Sequence, residues 1–412
     1  MASRRYFLKS SALAIFGVGT APAWLTRAVY AADAPSPRKK TLIAIFQRGA
    51  VDGLNVVVPH GEKQYYALRP TIAVPRPDGT PDSAVDLDGF FGLHPGLAPL
   101  APIYKAQHLA IVEAVGSPDP TRSHFDAQDY MESGTPGRKG TSDGWLNRAL
   151  SPERGVLSPV RAVCLGSALP RTLRGANDAV AINNLRDFQV HETNLSSTFE
   201  SMYETTPDHV LNGTGRETFD AVKLIQSIQK QAYRPENGAA YTGTRFGQSM
   251  LEIARMIKSG AGVEVAFTDV GGWDTHVNEM GPKASVGQLP NLLADFGKNL
   301  GAFYQDMGDG MADVTLVTMS EFGRTAKENG DRGTDHGHAN VMLVMGGDVK
   351  GGKVYGDWPG MEQEQLYESR DLNLTTDFRD VLGELVTHHL GNPSLATVFP
   401  GYAQPKYRGL II

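Results

Sequence analysis

Acids, imidazoles and a guanidinium fall at short spacing in several stretches of this 412-residue chain. "GGWDTH" holds Asp274 and His276, "SEFGRT" holds Glu321 and Arg324, and "GTDHGHANVML" holds Asp335, His336 and His338. "PDPTRSHFDAQDYMESG" adds Ser123 and His124, and "QRGAVDGLNVVVPH" adds Arg48 and Asp52. Carboxylate with imidazole suits zinc, manganese or iron, whereas calcium prefers oxygen alone. Cys164 is the single cysteine, so an internal disulfide, a thiolate zinc knuckle and an iron–sulfur cluster are excluded. A metal here must sit on His, Asp and Glu.

Each stretch also has a plainer reading. Asp274 could cap a helix with His276 beside it in a turn. Glu321 could ligate or act as a base and Arg324 could hold an anionic oxygen in its planar fork, or the two could form a surface pair of little worth. Ser123 followed by Asp126 is the S-x-x-D capping pattern, which favours a structural serine over a nucleophile. His124 would then lie in the first turn of a helix, where the positive end of the dipole favours a neutral imidazole that can ligate. His94 in "LHPGL" precedes a proline and reads as the start of a helix. Neither G-x-G-x-x-G nor G-x-x-x-x-G-K-[ST] occurs, so no dinucleotide or P-loop site is indicated, and the missing G-x-S-x-G argues against a serine-esterase elbow.

The elements that must position these residues alternate along the chain. Apolar, β-branched runs predict strands at Thr41–Phe46, His108–Glu113, Arg161–Leu165, Val263–Asp269, Asp313–Met319 and Val341–Met345. Apolar residues at helical spacing predict helices at Phe219–Gln231, Gly243–Lys258, Leu289–Met307 and Thr376–His389. The alternation predicts an α/β fold: a doubly wound, mainly parallel sheet with helices on both faces. Pro70 to Pro95 reads as loops, and Ser167 to Asn212 as a polar insertion capping the sheet. "IAIF" runs into "QRGAVDG", "VEVAFTDV" into "GGWDTH" and "VTLVTM" into "SEFGRT". In open α/β sheets ligands bind beyond the carboxyl ends of strands, so these segments should meet at one rim.

Composition is ordinary for a globular protein, with 41% hydrophobic and 20% charged residues. The net charge of −6 carries no basic excess, which excludes a general nucleic-acid binder. The amino terminus, Ser3-Arg4-Arg5-Tyr6-Phe7-Leu8-Lys9 followed by a mild apolar stretch and "AVYAADA", resembles a twin-arginine export signal. Gly17, Gly19, Thr20 and Pro22 break the run below the ~20 apolar residues a membrane span requires. The expected organisation is residues 1–34 as signal and cleavage region and 35–412 as one large domain. Such a signal implies the twin-arginine translocase as partner, a periplasmic or otherwise exported protein, and passage in the folded state.

"FQRGAVDGLNVVVPH", "LHPGLAPL", "RSHFDAQDYMESG", "GGWDTH", "SEFGRT" and "DHGHANVMLVMGG", in this order over nearly the whole mature chain, resemble the motifs of domain-of-unknown-function family 1501. One departure is Ala50, where a glycine is usual. The resemblance implies membership of the alkaline-phosphatase-like superfamily, with a two-metal site at the sheet rim, and often a neighbouring exported protein of family 1800. Its usual first-strand Asp is replaced by Gln47, with Asp52 the nearest acid. "PDPTR" begins with Pro118, not Cys or Ser, which excludes sulfatase chemistry by the formylglycine route. Strand order assigns the superfamily's Asp-His pair to the segment of Glu321 and its last histidine to His336 or His338, with Asp335 fixing the ring. The implied function is an exported hydrolase of phosphate or sulfate esters with a divalent metal, zinc or manganese, acting on a small-molecule ester or an anionic polymer. The alternatives are a degenerate member that serves as an envelope binding or assembly protein, and an exported redox protein, for which no cofactor fingerprint exists.

Overall fold

A computed structural model describes residues 40–150, 157–183, 220–402 and 404–412. The twin-arginine segment, and the part of the expected insertion from 184 to 212, lie outside the described residues. The main sheet has strands β1 (Thr41–Gln47), β2 (Leu109–Gly116), β3 (Ala162–Leu165), β4 (Val180–Ile182), β5 (Val265–Val270), β6 (Val314–Met319), β7 (Asn340–Gly346), β8 (Lys353–Tyr355) and β9 (Thr376–Asp377). Their order is β8-β2-β7-β6-β1-β5-β3-β4, with β9 also paired to β2. β1 lies at the centre, parallel to β5 and β6.

Every residue of β1 is buried because both faces of the sheet are covered. Its side chains alternate: Ile43 and Ile45 join one core, while Leu42, Ala44 and Phe46 join the other. The first core is closed by α3 (Arg245–Lys258) and α4 (Gln288–Met307), where Phe246 stacks on Phe296 at 5.1 Å. The second core takes Met131 of α1 (His124–Ser133), Trp145 of α2 (Trp145–Ala149), and Phe378 and Val381 of α5 (Phe378–Glu384).

The predicted elements form with shifted ends, and two differ in kind. Thr376–Asp377, expected as the start of a helix, pairs with β2, and Asp377 then caps α5 by accepting from the Arg379 amide at 2.9 Å. Val180–Ile182, expected as irregular, extends the sheet edge by pairing in parallel with β3. Between Pro70 and Pro95 the chain is mostly loop, with short strands Val85–Asp86 and Gly92–Leu93 beside Val57–Val58.

β7 runs antiparallel to both β6 and β2. Its first residue, Asn340, therefore sits opposite Val115, near the end of β2. The chain entering β7 thus meets the chains leaving β1, β5, β6 and β2 at one rim.

Candidate metal centre

Four segments at this rim are locked together by backbone. Gly49, just beyond β1, has φ +116°, and a Cβ there would lie 2.7 Å from the Asp274 amide nitrogen. Ala50 follows at φ +60°, a left-handed position that favours glycine. Beyond β5, Trp273 is fully buried and donates from Nε1 to the Val270 carbonyl at 2.9 Å, fixing the loop that presents Asp274 and His276. Beyond β6, the Gly323 amide donates to the His338 carbonyl and the Gly337 amide to the Gly323 carbonyl, both at 2.8 Å, and Thr325 donates to the Asp335 carbonyl at 2.9 Å. Ser123 caps α1 and places His124 in its first turn.

These segments bring His124, Asp274 and His336 together, each offering a ligand atom within 4.8 Å of the others. His124 Nε2 and His336 Nε2 are 3.0 Å apart. Asp274 Oδ1 is 3.2 Å from His336 Nε2, and Asp274 Oδ2 is 3.4 Å from His124 Nε2. His276 adjoins them, its Nε2 3.1 Å from His336 Nε2 and 2.9 Å from Asp274 Oδ1.

The other ring nitrogen of each histidine decides what these contacts mean. His124 Nδ1 faces Glu321 Oε1 at 2.8 Å, His276 Nδ1 faces Asp335 Oδ1 at 3.1 Å, and His336 Nδ1 faces the Arg122 carbonyl at 2.9 Å. Oxygens of this kind only accept, so each Nδ1 carries a proton, and a singly protonated ring then turns its Nε2 lone pair inward. Arg324 Nη1 lies 3.5 Å from His276 Nε2, and a guanidinium can only donate to it. Lone pairs and a carboxylate thus converge with no hydrogen to separate His276 from His336. A cation is the group that such a donor set fits, and anchoring of the far nitrogen by carboxylate or carbonyl is the usual support of a ligating histidine. Donors about 3.3 Å apart would surround a tetrahedral zinc with bonds of 2.0–2.1 Å. The observed separations lie on both sides of that spacing.

Electrostatics agree with the placement. Burial and the nearby charges of His124 and Arg324 hold His336 below the ordinary histidine range, despite the Arg122 carbonyl. Glu321 is buried, which raises a carboxyl, but donation from His124 and Gln128 holds it below the usual carboxylate value. Asp274 likewise resists its partial burial through Arg324, His276 and His124 and ionises more readily than usual. His124 is raised, chiefly by its hydrogen bond to Glu321, so a cation at its Nε2 competes with a proton there.

Several expected roles move once the side chains are in place. Glu321 is not at the convergence point. Its Oε1 accepts from His124, the Gly49 amide (2.8 Å) and Gln128 Nε2 (2.9 Å), and its Oε2 accepts from Ser320 Oγ (3.1 Å), so it orients His124 from behind. Arg324 cannot reach an ester oxygen. Its side chain is fully buried, donating to the carbonyls of Ala50, Trp273 and Thr334 and to Asp274 Oδ1 at 2.7 Å. Asp335 supports His276 and not the ring of His336. His338 is turned away and stacks on Tyr367 at 4.4 Å, leaving His336 as the imidazole of the pair that joins the cluster. Asp52 is buried in a two-pronged ion pair with Arg69 at 2.5 and 2.9 Å. Ser123 accepts the Asp126 amide as the cap, and His94 caps its own short helix by accepting from Gly96. Sequence reading missed Gln128, although its place four residues after His124 puts both on one helix face. It also missed the Arg122 carbonyl, which no side-chain pattern can announce.

A family profile described as "Protein of unknown function (DUF1501)" matches residues 105–393. The chain belongs to the DUF1501 family. This DUF1501 protein matches no curated protein. Among solved structures it is similar to the PsFucS1 sulfatase of Pseudoalteromonas sp., at 11% identity and TM-score 0.40, over 95% of this chain and 77% of that one. It is also similar to the PH0037 protein of Pyrococcus horikoshii, at 11% identity and TM-score 0.30, over 76% of this chain and 86% of that one. Likeness at these scores has no bearing on what the DUF1501 site does.

Proposed function

We propose that this DUF1501 protein is a divalent-metal-dependent hydrolase of phosphate or sulfate esters, exported folded through the twin-arginine route. One observation carries the reading: inward Nε2 lone pairs of His124 and His336 meet the Asp274 carboxylate, and every imidazole is anchored at its far nitrogen. Nitrogen and oxygen donors of this set suit zinc or manganese. A bound ion would supply positive charge to the oxygens of a tetrahedral ester and its leaving group. The first strand's end contributes no acid to this set, and His124, Asp274 and His336 provide for one ion.

The chain's own groups have distinct tasks. His124, Asp274 and His336 hold the ion, Glu321 and the Arg122 carbonyl fix the two rings, and Arg324 fixes the carboxylate. His276, oriented through Nδ1 by Asp335, handles the proton at Nε2 during cleavage. His276 and Asp274 are the most open of the four, with 39% and 44% of their side chains exposed, so substrate approaches from their side. Export rests on Ser3-Arg4-Arg5-Tyr6-Phe7-Leu8-Lys9.

Metal content of protein recovered after export, with cleavage of 4-nitrophenyl phosphate and sulfate in added zinc or manganese, tests this reading. His336→Ala and Asp274→Ala should each lose the ion, His338→Ala should keep it, and His276→Ala should keep it while losing cleavage. Wild-type protein that binds no metal sinks the proposal. Stoichiometric metal without cleavage of any ester would favour a binding protein, a reading supported by the capping role of Ser123, the one serine singled out as a nucleophile.

A further inference from the structure

Helix α1 contributes side chains both to the cluster and to a cavity of about 430 Å³ on the same rim. His124 belongs to the cluster, whereas Phe125, Gln128, Asp129 and Glu132 line the cavity. The facing wall comes from the segment after β3 and from Arg245 at the start of α3. Gln128 joins the two spaces, since it donates to Glu321 at 2.9 Å and accepts from Arg48 at 2.9 Å.

Charge in this cavity is unevenly matched. Arg48 is held by Asp269 at 2.6 Å and Glu132 at 2.9 Å, and Arg171 by Asp129 at 2.7 Å. These pairs use all three acids of the wall. Arg174 and Arg245 line the same cavity and are exposed, and neither has a carboxylate partner among the described residues. Among the described residues Arg174 Nε donates to the Leu169 carbonyl, at 3.2 Å. Phe125, in the first turn of α1, is 90% exposed. A single exposed ring signifies little by itself. Here it lines a cavity with two guanidiniums that lack a carboxylate partner among the described residues, and aromatic faces with cationic forks suit a ring-bearing anion.

We propose that this cavity binds a second anionic group of the substrate, through Arg174 and Arg245, while a ring of the substrate lies against Phe125. The substrate class is then a polyanionic ester, carrying a further sulfate, phosphate or carboxylate beside the group cleaved at the cluster. The volume falls within the range that encloses a sugar- or arene-sized unit. This inference rests on the hydrolase reading for the identity of the cleaved group, but not for the cavity's preference for anions.

Binding of naphthalene-2,6-disulfonate and naphthalene-2-sulfonate, neither of which is a cleavable ester, tests it by fluorescence titration of the full zinc-loaded protein. Wild-type protein should bind the disulfonate about ten- to a hundredfold more tightly than the monosulfonate, as expected for added hydrogen bonds to a charged group. Arg174→Ala with Arg245→Ala should abolish that preference with metal content unchanged, and Arg174→Lys with Arg245→Lys should retain part of it. Both positions are exposed, so the variants should fold. Equal binding of the two probes by wild type, or a preference that survives the double alanine variant, overturns the proposal. An arginine-dependent preference in protein that cleaves no ester supports the anion site and discards the hydrolase reading alone.

Discussion

At the scale of single residues, the site consists of groups whose value lies in what stands behind them. Glu321 and Arg324 never face the substrate, yet Glu321 fixes the tautomer of His124 and Arg324 holds the Asp274 carboxylate at 2.7 Å. Outer partners of metal ligands commonly contribute 10–100-fold to affinity. Glu321→Gln and Arg324→Met should therefore each weaken zinc binding by about that factor, measured by competition with a chromogenic chelator. Unchanged affinity in both would show that the rings and carboxylate need no such support. The residue types were legible in the sequence, because acids and imidazoles in glycine-rich turns can be read directly. Which imidazole of "HGH" joins the cluster was not, since that depends on Tyr367, a residue distant in sequence that takes His338 into a stack.

At the scale of elements, β2 shows what burial does to an ionisable group on a strand. Glu113 is buried, and burial raises its carboxyl well above the ordinary glutamate value. The folded state keeps this proton where the unfolded chain has lost it, so its contribution is complete below the unfolded pKa and declines as pH rises toward the folded value. Glu113→Gln carries no such titration. Its stability relative to wild type should increase between pH 5 and pH 8, by at most about 1.4 kcal/mol per pH unit, in urea unfolding. An identical difference at both pH values would mean that Glu113 is ionised in the fold. Strands and long helices were legible because burial on two faces writes continuous apolar runs and amphipathic periods. The edge strand β4 was not, because three residues take their register from β3 and carry too short a pattern of their own.

At the scale of the whole molecule, the rim stands on a buried polar layer. Arg69 clasps Asp52 and donates to the carbonyls of Thr325 and Ala326, while Thr275 and Thr334 both donate to Glu279 at 3.0 and 2.8 Å. Burial and the nearby Asp52 raise Glu279 well above the usual carboxyl value. Arg69→Met would strand Asp52 without a partner and should cost roughly 3–5 kcal/mol in chemical unfolding, whereas Asp52→Asn combined with Arg69→Met should recover much of the loss. A single variant as stable as wild type would show that the pair is dispensable. By itself the sequence determined the α/β class, the polar segments at strand ends and the restriction of any metal to His, Asp and Glu, because these follow from local periodicity and composition; the family was legible through the resemblance of its motifs. Only the tertiary structure decided that β7 runs against its neighbours. That reversal returns His336 to the rim where β1, β5 and β6 end, while Arg69 draws Asp52 beneath the rim and the Ala50 and Trp273 carbonyls hold Arg324 inward. Direction and depth of this kind are set by pairing between distant segments, which no local pattern encodes.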